Sequence, residues 1–276
     1  MSVSDADGTA VPAVLEDPDA PLRLSFDGPL AVLTLASPPH NLFDDAMWQA
    51  WFAAVDWCEQ NVPRALLIRA QGRVVSAGVD VRIFRDTPAE KVEEYWRRNL
   101  RIVQAVERLP CPTVFAAHAL TLTAAFEIAL ACDFIVAVDG ARFGLVERRV
   151  AFTPAMGGTQ RLAERAGVSR ARELVMTGRL YRASTLADWG VVNALFGAAT
   201  FTDEAHAFAS DLATGPTQAH VATKQVTREY LRGGVAAADA VLSAVVHRVS
   251  GTEDHRRAVE AFLAHGPDHQ TEYLGR

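Results

Sequence analysis

The sequence predicts an α/β fold on three observations. Two strand-like runs lead into a helix and a further strand, and this order recurs more loosely downstream. From about Phe201 the patterning turns helical, with few strand-like runs. With 276 residues, half of them hydrophobic, the chain can bury a substantial core as one large domain or as a domain with an appendage.

Residues 1–20, rich in Asp, Ala and Pro, read as a disordered lead, and residues 21–200 as the α/β core. Leu22 to Phe26 and Leu30 to Leu35 alternate apolar with polar residues around Asp27-Gly28-Pro29, the pattern of a β-hairpin. Asp44 to Glu59 is a helix with Asp44 placed to cap its first N–H groups, and Ala65 to Arg69 is the next strand. A Gly-punctuated loop, Gln71 to Asp80, follows. The pattern then gives a helix from Ala89 to Leu109, a strand from Thr113 to Ala117, a helix from Thr123 and a strand from Phe134 to Val138. Residues 201–276 form a helical region: Ala205 to Ala213, Thr217 to Tyr230, Ala236 to Val249 and Thr252 to Leu263. The breaks at Thr214-Gly215-Pro216 and Gly233-Gly234 are too short for interdomain linkers.

Composition narrows the function. A formal charge of −6 leaves no basic excess for a nucleic acid backbone or an anionic membrane, although a local basic cluster can still hold a small anion. Cys58, Cys111 and Cys132 are odd in number, lack CxxC spacing and sit in apolar or Pro-bounded sequence, so they read as reduced and buried. Neither a secretion signal nor a membrane-spanning run is recognisable, and the expected location is the cytoplasm. His40, His118 and His220 have no metal or triad spacing, and Gly-x-Ser-x-Gly and dinucleotide-type glycine loops are missing.

Two carboxylates stand out. Glu127 lies inside Leu122-Thr123-Ala124-Ala125-Phe126-Glu127-Ile128-Ala129-Leu130, and Glu147 ends the apolar stretch Phe143-Gly144-Leu145-Val146. A buried ionised carboxylate costs several kcal/mol, on the order of 3 or more, unless it is paired or useful. An ion pair with Arg148, Arg149 or Arg161 is the plainer reading for one such residue. Two in matched surroundings point to one acid/base site. Near them are two sources of N–H donors for an oxyanion, the loop Ser76-Ala77-Gly78-Val79-Asp80 and the helix start after His118. Taken singly, each is better read as a tight turn or as a helix start capped by Thr121 or Thr123.

Over residues 21–263 these features resemble the enoyl-CoA hydratase/isomerase, or crotonase, superfamily. The resemblance runs through Ser76 to Asp80, His118 to Glu127, Cys132-Asp133 and Phe143 to Glu147. Thr153-Pro154-Ala155-Met156-Gly157-Gly158-Thr159-Gln160-Arg161-Leu162 is its most specific segment. Leu174 to Arg179, Gly190 to Asn193, Thr252 to Asp254 and Ala261-Phe262 complete the register. It implies a spiral of ββα units with a C-terminal helical region that drives trimerisation, often doubled to a hexamer. It also implies an acyl-coenzyme A substrate, with coenzyme A entering as part of that substrate and no separate cofactor.

By position, the N–H groups of Val79 and Ala124 would hold the thioester oxygen, and Glu127 and Glu147, 20 residues apart, would be the catalytic pair of a hydratase. Arg73, Ala77, Val79, Asp80 and Arg82 would line the coenzyme, the arginines on its phosphates. An isomerase, which usually depends on the second carboxylate alone, and a non-catalytic acyl-CoA-binding trimer are the alternatives. The chain departs from the family pattern in Thr123-Ala124-Ala125, where a glycine run is usual, in Val79 for alanine, in Ala155 for glycine, and in lacking a lysine near Phe262. These changes narrow the expected hole and remove one coenzyme contact.

Overall fold

Strands covered on both faces read as unbroken apolar runs, and this chain builds its main sheet from several. The computed structural model describes residues 10–276. Strand β1 (Leu22–Asp27) pairs antiparallel with β2 (Leu30–Leu35) across the predicted hairpin. Strands β3 (Ala65–Ala70), β4 (Thr113–Ala117), β6 (Phe134–Val138) and β9 (Ala194–Phe196) then add in parallel, giving the order β1-β2-β3-β4-β6-β9. Between β4 and β6 the chain forms β5 (Thr121–Leu122), which joins β7 (Arg142–Gly144) and β8 (Tyr181–Arg182) in a second, three-stranded sheet.

The alternation of side chains along a strand divides the core in two. Ala31, Leu33, Leu66, Ile68, Phe115, Ala117, Ile135 and Ala137 face a large cluster formed with helices α2 (Asp45–Gln60), α4 (Val92–Arg108) and α5 (Ala124–Ala131). Leu30, Val32, Ala65, Leu67, Val114, Ala116 and Val136 face the opposite way, onto α9 (Phe201–Thr214). Asp44 caps α2 as expected, its side chain accepting from the Met47 N–H at 2.9 Å. Such a cap contributes about 1 kcal/mol.

The ends of the chain depart from expectation. The lead is structured from Ala10 onward: α1 (Ala13–Glu16) sets Leu15 in the core with no exposure, because Val11, Leu15 and Ala20 supply an apolar face. Residues 1–9 of the expected lead lie outside the described residues. Helix α9, read from sequence as part of the C-terminal helical region, covers the sheet through Phe201, Ala205, Ala209 and Ala213. Beyond it α10 (Thr217–Ser250) bends at Gly233-Gly234, where Gly234 takes φ +70°, and α11 (Glu253–His265) follows. Lys224 ties α10 to the core by an ion pair to Asp133 at 2.7 Å and a bond to the Cys111 carbonyl at 2.8 Å. Helices α3 (Arg82–Asp86), α6 (Gly158–Ala166), α7 (Val168–Thr177) and α8 (Ala183–Asp188) complete the core. No described helix is long and apolar enough to cross a membrane.

Candidate active site

The small sheet brings the two glutamates together. Thr121 and Leu122 of β5 pair in parallel with Phe143 and Gly144 of β7, so the segments that leave these strands run side by side. One enters α5 and places Glu127 in its first turn; the other reaches Glu147 three residues beyond Gly144. A bridge between Ser76 and Thr121 adds the loop 76–80 to the same strand ends. The site thus forms at the carboxyl ends of parallel strands, where α/β proteins place their ligands.

Helix α5 is buried along its whole length, as its apolar sequence requires. Glu127 is held by the backbone: its Oε1 accepts from the N–H groups of Met156 and Gly158, each at 2.9 Å. Burial raises its pKa to about 7, against the pull of those two donors and of Arg161. Glu147 is also buried, and neither of its oxygens has a hydrogen-bond partner among the described residues. Burial, and after it the Glu127 charge, raise its pKa to about 8. The repulsion is mutual, but Glu127 is steadied by two donors and ionises first, so the cost falls on Glu147.

The arginine-pair explanation of these carboxylates fails. Arg161 forks onto Glu107 at 2.7 and 2.8 Å, and Arg148 donates to the Thr177 carbonyl. No salt bridge reaches Glu127 or Glu147 among the described residues. No group of three or more His, Cys, Asp or Glu side chains placed to hold a metal ion occurs among the described residues. All three cysteines are free and buried, and burial raises each thiol pKa, away from nucleophilic use.

The two expected oxyanion donors differ. In the first loop, Ala77 N–H donates to the His40 carbonyl, Gly78 N–H to Ser76 Oγ, and Asp80 N–H to the Phe43 carbonyl. The Val79 N–H, expected to be open, donates to Thr123 Oγ1 at 3.1 Å. The Ala124 N–H opens α5 and has no acceptor among the described residues, as a first-turn donor should. Neither Thr121 nor Thr123 caps this helix: Thr121 Oγ1 bonds the Ala119 carbonyl, and Thr123 turns to Val79. Thr123 also takes the left-handed φ of +46° that a glycine would supply, a conformation that costs a β-branched residue roughly 1–3 kcal/mol.

Of the residues expected to line the coenzyme, Arg73 is exposed and has no ion-pair partner among the described residues. Arg82 forks onto Asp80, with Nε at 3.0 and 2.9 Å from its two oxygens, while its own side chain stays 70% exposed. The Arg82 guanidinium holds the Asp80 carboxyl below its ordinary pKa. Ala77, Val79 and Asp80 sit between these arginines on the loop.

Sequence reading missed the parts that hold this geometry. Asn41, buried at φ +47°, donates through Nδ2 to the carbonyls of Gln71, Val74 and Val75, and its own carbonyl accepts from Ser76 Oγ at 2.7 Å. Its signal is an asparagine, which tolerates that φ better than most residues, in a Pro-rich turn before an apolar run. Met156 and Gly158 lie in the most specific segment of the resemblance but carried no assigned role. A Cβ on Gly158 would stand 2.7 Å from Glu127 Cγ, so only glycine lets this backbone reach the carboxylate.

With this geometry in view, comparison with known proteins is informative. The profile of the enoyl-CoA hydratase/isomerase family matches residues 26–272. A Mycobacterium tuberculosis protein named probable enoyl-CoA hydratase EchA17 is 31% identical over 241 residues, covering 87% of this chain and 88% of its own. A Mycosarcoma maydis protein named enoyl-CoA isomerase/hydratase fer4 is 34% identical over 136 residues, about half of each chain (49% and 50%). The crystal structure of an enoyl-CoA hydratase from Bacillus anthracis superposes with a TM-score of 0.85 at 23% identity, over 93% of this chain and 100% of that one. It has the same fold.

Proposed function

The chain belongs to the enoyl-CoA hydratase/isomerase family, and from that premise we propose that it adds water across the α,β double bond of a 2-enoyl-CoA thioester. One observation carries the reading: two buried glutamates without arginine ion-pair partners among the described residues, one held by two N–H groups and the other unpaired among them, with pKa values near neutrality.

That arrangement suits a carboxylate and a carboxylic acid acting on opposite ends of one double bond. Glu127, the first to ionise, accepts a proton from water through its free Oε2 as the water oxygen bonds to the β carbon. The π electrons move onto the thioester oxygen, where the uncommitted Ala124 N–H helps stabilise the enolate. The electron pair then returns to the α carbon, which takes the proton of Glu147. One water is added, and transfer of a proton from Glu127 to Glu147 resets the pair.

Coenzyme A lies along Arg73, Ala77, Val79, Asp80 and Arg82 in this reading. The exposed guanidinium groups suit its phosphates, and no separate cofactor takes part. Tyr230, Leu231, Val235, Val246, Phe262 and Leu263 leave an apolar surface exposed on α10 and α11, which supports assembly as a homotrimer or a hexamer. Light scattering on the purified protein reports that mass directly.

The reaction is tested by loss of enoyl-thioester absorbance on short, long and aryl 2-enoyl-CoA esters, with product masses. A product heavier by one water, lost in both Glu127→Gln and Glu147→Gln, is expected. The similarity to a protein named isomerase/hydratase favours double-bond isomerisation as the second reading. That reading predicts a product of unchanged mass and activity that survives Glu127→Gln.

A further inference from the structure

Thr123 is at odds with its own backbone, and the reason lies at its side chain. A β-branched residue at φ +46° is rare, and residues held this way concentrate where a site needs them. Three bonds fix the residue: its N–H donates to the Gly144 carbonyl at 3.0 Å, its carbonyl accepts from the Glu127 N–H at 2.8 Å, and Oγ1 accepts from the Val79 N–H at 3.1 Å. The niche for Oγ1 exists because Gly78 has no side chain, since a Cβ there would lie 2.2 Å from that oxygen.

A hydroxyl has one proton to give and two lone pairs. The Val79 N–H uses a lone pair, and the proton has no acceptor among the described residues. Thr123 is 8% exposed and directly precedes Ala124, whose N–H is also uncommitted. Two free donors therefore stand on adjacent residues at the mouth of α5.

We infer that Thr123 is a catalytic donor, its hydroxyl accepting from the Val79 N–H and giving its own proton to the thioester oxygen. The oxyanion is then held by Thr123 Oγ1–H and Ala124 N–H, with Val79 acting through the hydroxyl. A hydrogen bond received at Oγ1 polarises the O–H, so the relay strengthens the donor. The inference rests on the acyl-thioester reading of the site. It fixes the carbonyl oxygen farther from Val79 than a direct contact would allow.

The test uses a saturated acyl-CoA labelled with ¹³C at the thioester carbonyl, which binds but has no double bond to hydrate. Isotope-edited infrared spectra of the bound ligand are compared for the wild type, Thr123→Ser, Thr123→Val and Thr123→Gly, alongside kcat/KM for enoyl-CoA hydration. Binding should move the carbonyl stretch to lower frequency in the wild type and in Thr123→Ser, and Thr123→Val should reverse most of that shift. In Thr123→Val, kcat/KM should fall about 10²- to 10³-fold, the usual effect of removing one oxyanion donor.

Thr123→Gly, whose backbone suits this φ, guards against misfolding of the valine variant and should remain at or below wild-type turnover. A tenfold gain in Thr123→Gly would show that the hydroxyl obstructs the site and would overturn the inference. So would an unchanged carbonyl stretch in Thr123→Val. A carbonyl shift that depends on the hydroxyl, with no hydration of any ester, would uphold the donor and refute the proposed reaction. Hydration with a shift indifferent to Thr123 would do the reverse, and failure to bind any acyl-CoA would refute both.

Discussion

Glu127 and Glu147 are the same residue at similar depth, yet one has its protein donors and the other has none among the described residues. Glu127 stands in a helix with two backbone N–H groups on one oxygen, a cradle that favours its ionised form and fixes its direction. Glu147 follows the end of a short strand, and both its oxygens are buried without partners among the described residues. In the proposed reaction one carboxylate stands where a charge is tolerated and its neighbour where burial favours the protonated form. The lesson is that role follows from what the backbone offers each side chain, since the residue type is common to both.

Exchange of either side chain breaks the comparison most severely. Glu147→Gln removes the retained proton and should lower kcat for hydration by about 10²- to 10⁴-fold, the usual scale for a positioned acid or base. Glu127→Gln should cost a similar factor while the amide oxygen keeps the N–H contacts, so that circular dichroism stays unchanged. Retention of hydration by either variant would contradict the division of labour. Gly158→Ala disturbs the cradle alone: the added methyl meets Glu127 Cγ and should reduce turnover by about 10- to 100-fold. Gly158→Ala in the Glu147→Gln background should add little to the loss that Glu147→Gln already causes if the two residues act as one unit.

The pH dependence sharpens the contrast. The proposed reaction needs Glu127 ionised and Glu147 protonated, so kcat/KM should rise as pH passes about 7 and fall as it passes about 8. The two apparent values belong to the coupled pair, and a narrow bell is the expected form. Glu147→Gln should erase the alkaline limb in whatever activity remains.

Stability should respond with the opposite emphasis. Glu147 has a higher pKa folded than unfolded, so the folded state holds its proton more firmly between about 4.5 and about 8. Its contribution is therefore complete below the lower value and is lost as pH rises through the upper one. Relative to the wild type, Glu147→Gln should gain on the order of 4 kcal/mol in urea unfolding at pH 9 compared with pH 5. An equal difference at the two pH values would argue against a buried, unpaired Glu147.

Much of this fold was legible because the central strands are buried on both faces. Thr113 to Ala117 and Phe134 to Val138 were placed from apolar runs alone, and the cap at Asp44 from residue chemistry. The small sheet was not legible, since Thr121–Leu122 and Tyr181–Arg182 are too short to show a period. The candidate pair of glutamates was visible as charge inside apolar sequence. Its supporting groups were hidden for a different reason: Met156 and Gly158 act through backbone N–H, which sequence does not display. Thr123 reaches Val79 across 44 residues by one side-chain rotamer, and its expected role as a helix cap was the wrong local alternative. Arg161 likewise found Glu107, 54 residues away, instead of either glutamate.

Helix α9 presents Ala205, Ala209 and Ala213 to the far face of the main sheet, a stripe spaced by four that lets helix and sheet lie close. The strands are thereby clamped from behind by apolar side chains, with His206 of α9 also meeting Asp27 of β1 at 2.7 Å. Mutation on the side that meets substrate can remodel selectivity while this rear wall keeps the strand ends in register. The scaffold separates inheritance of shape from variation of chemistry.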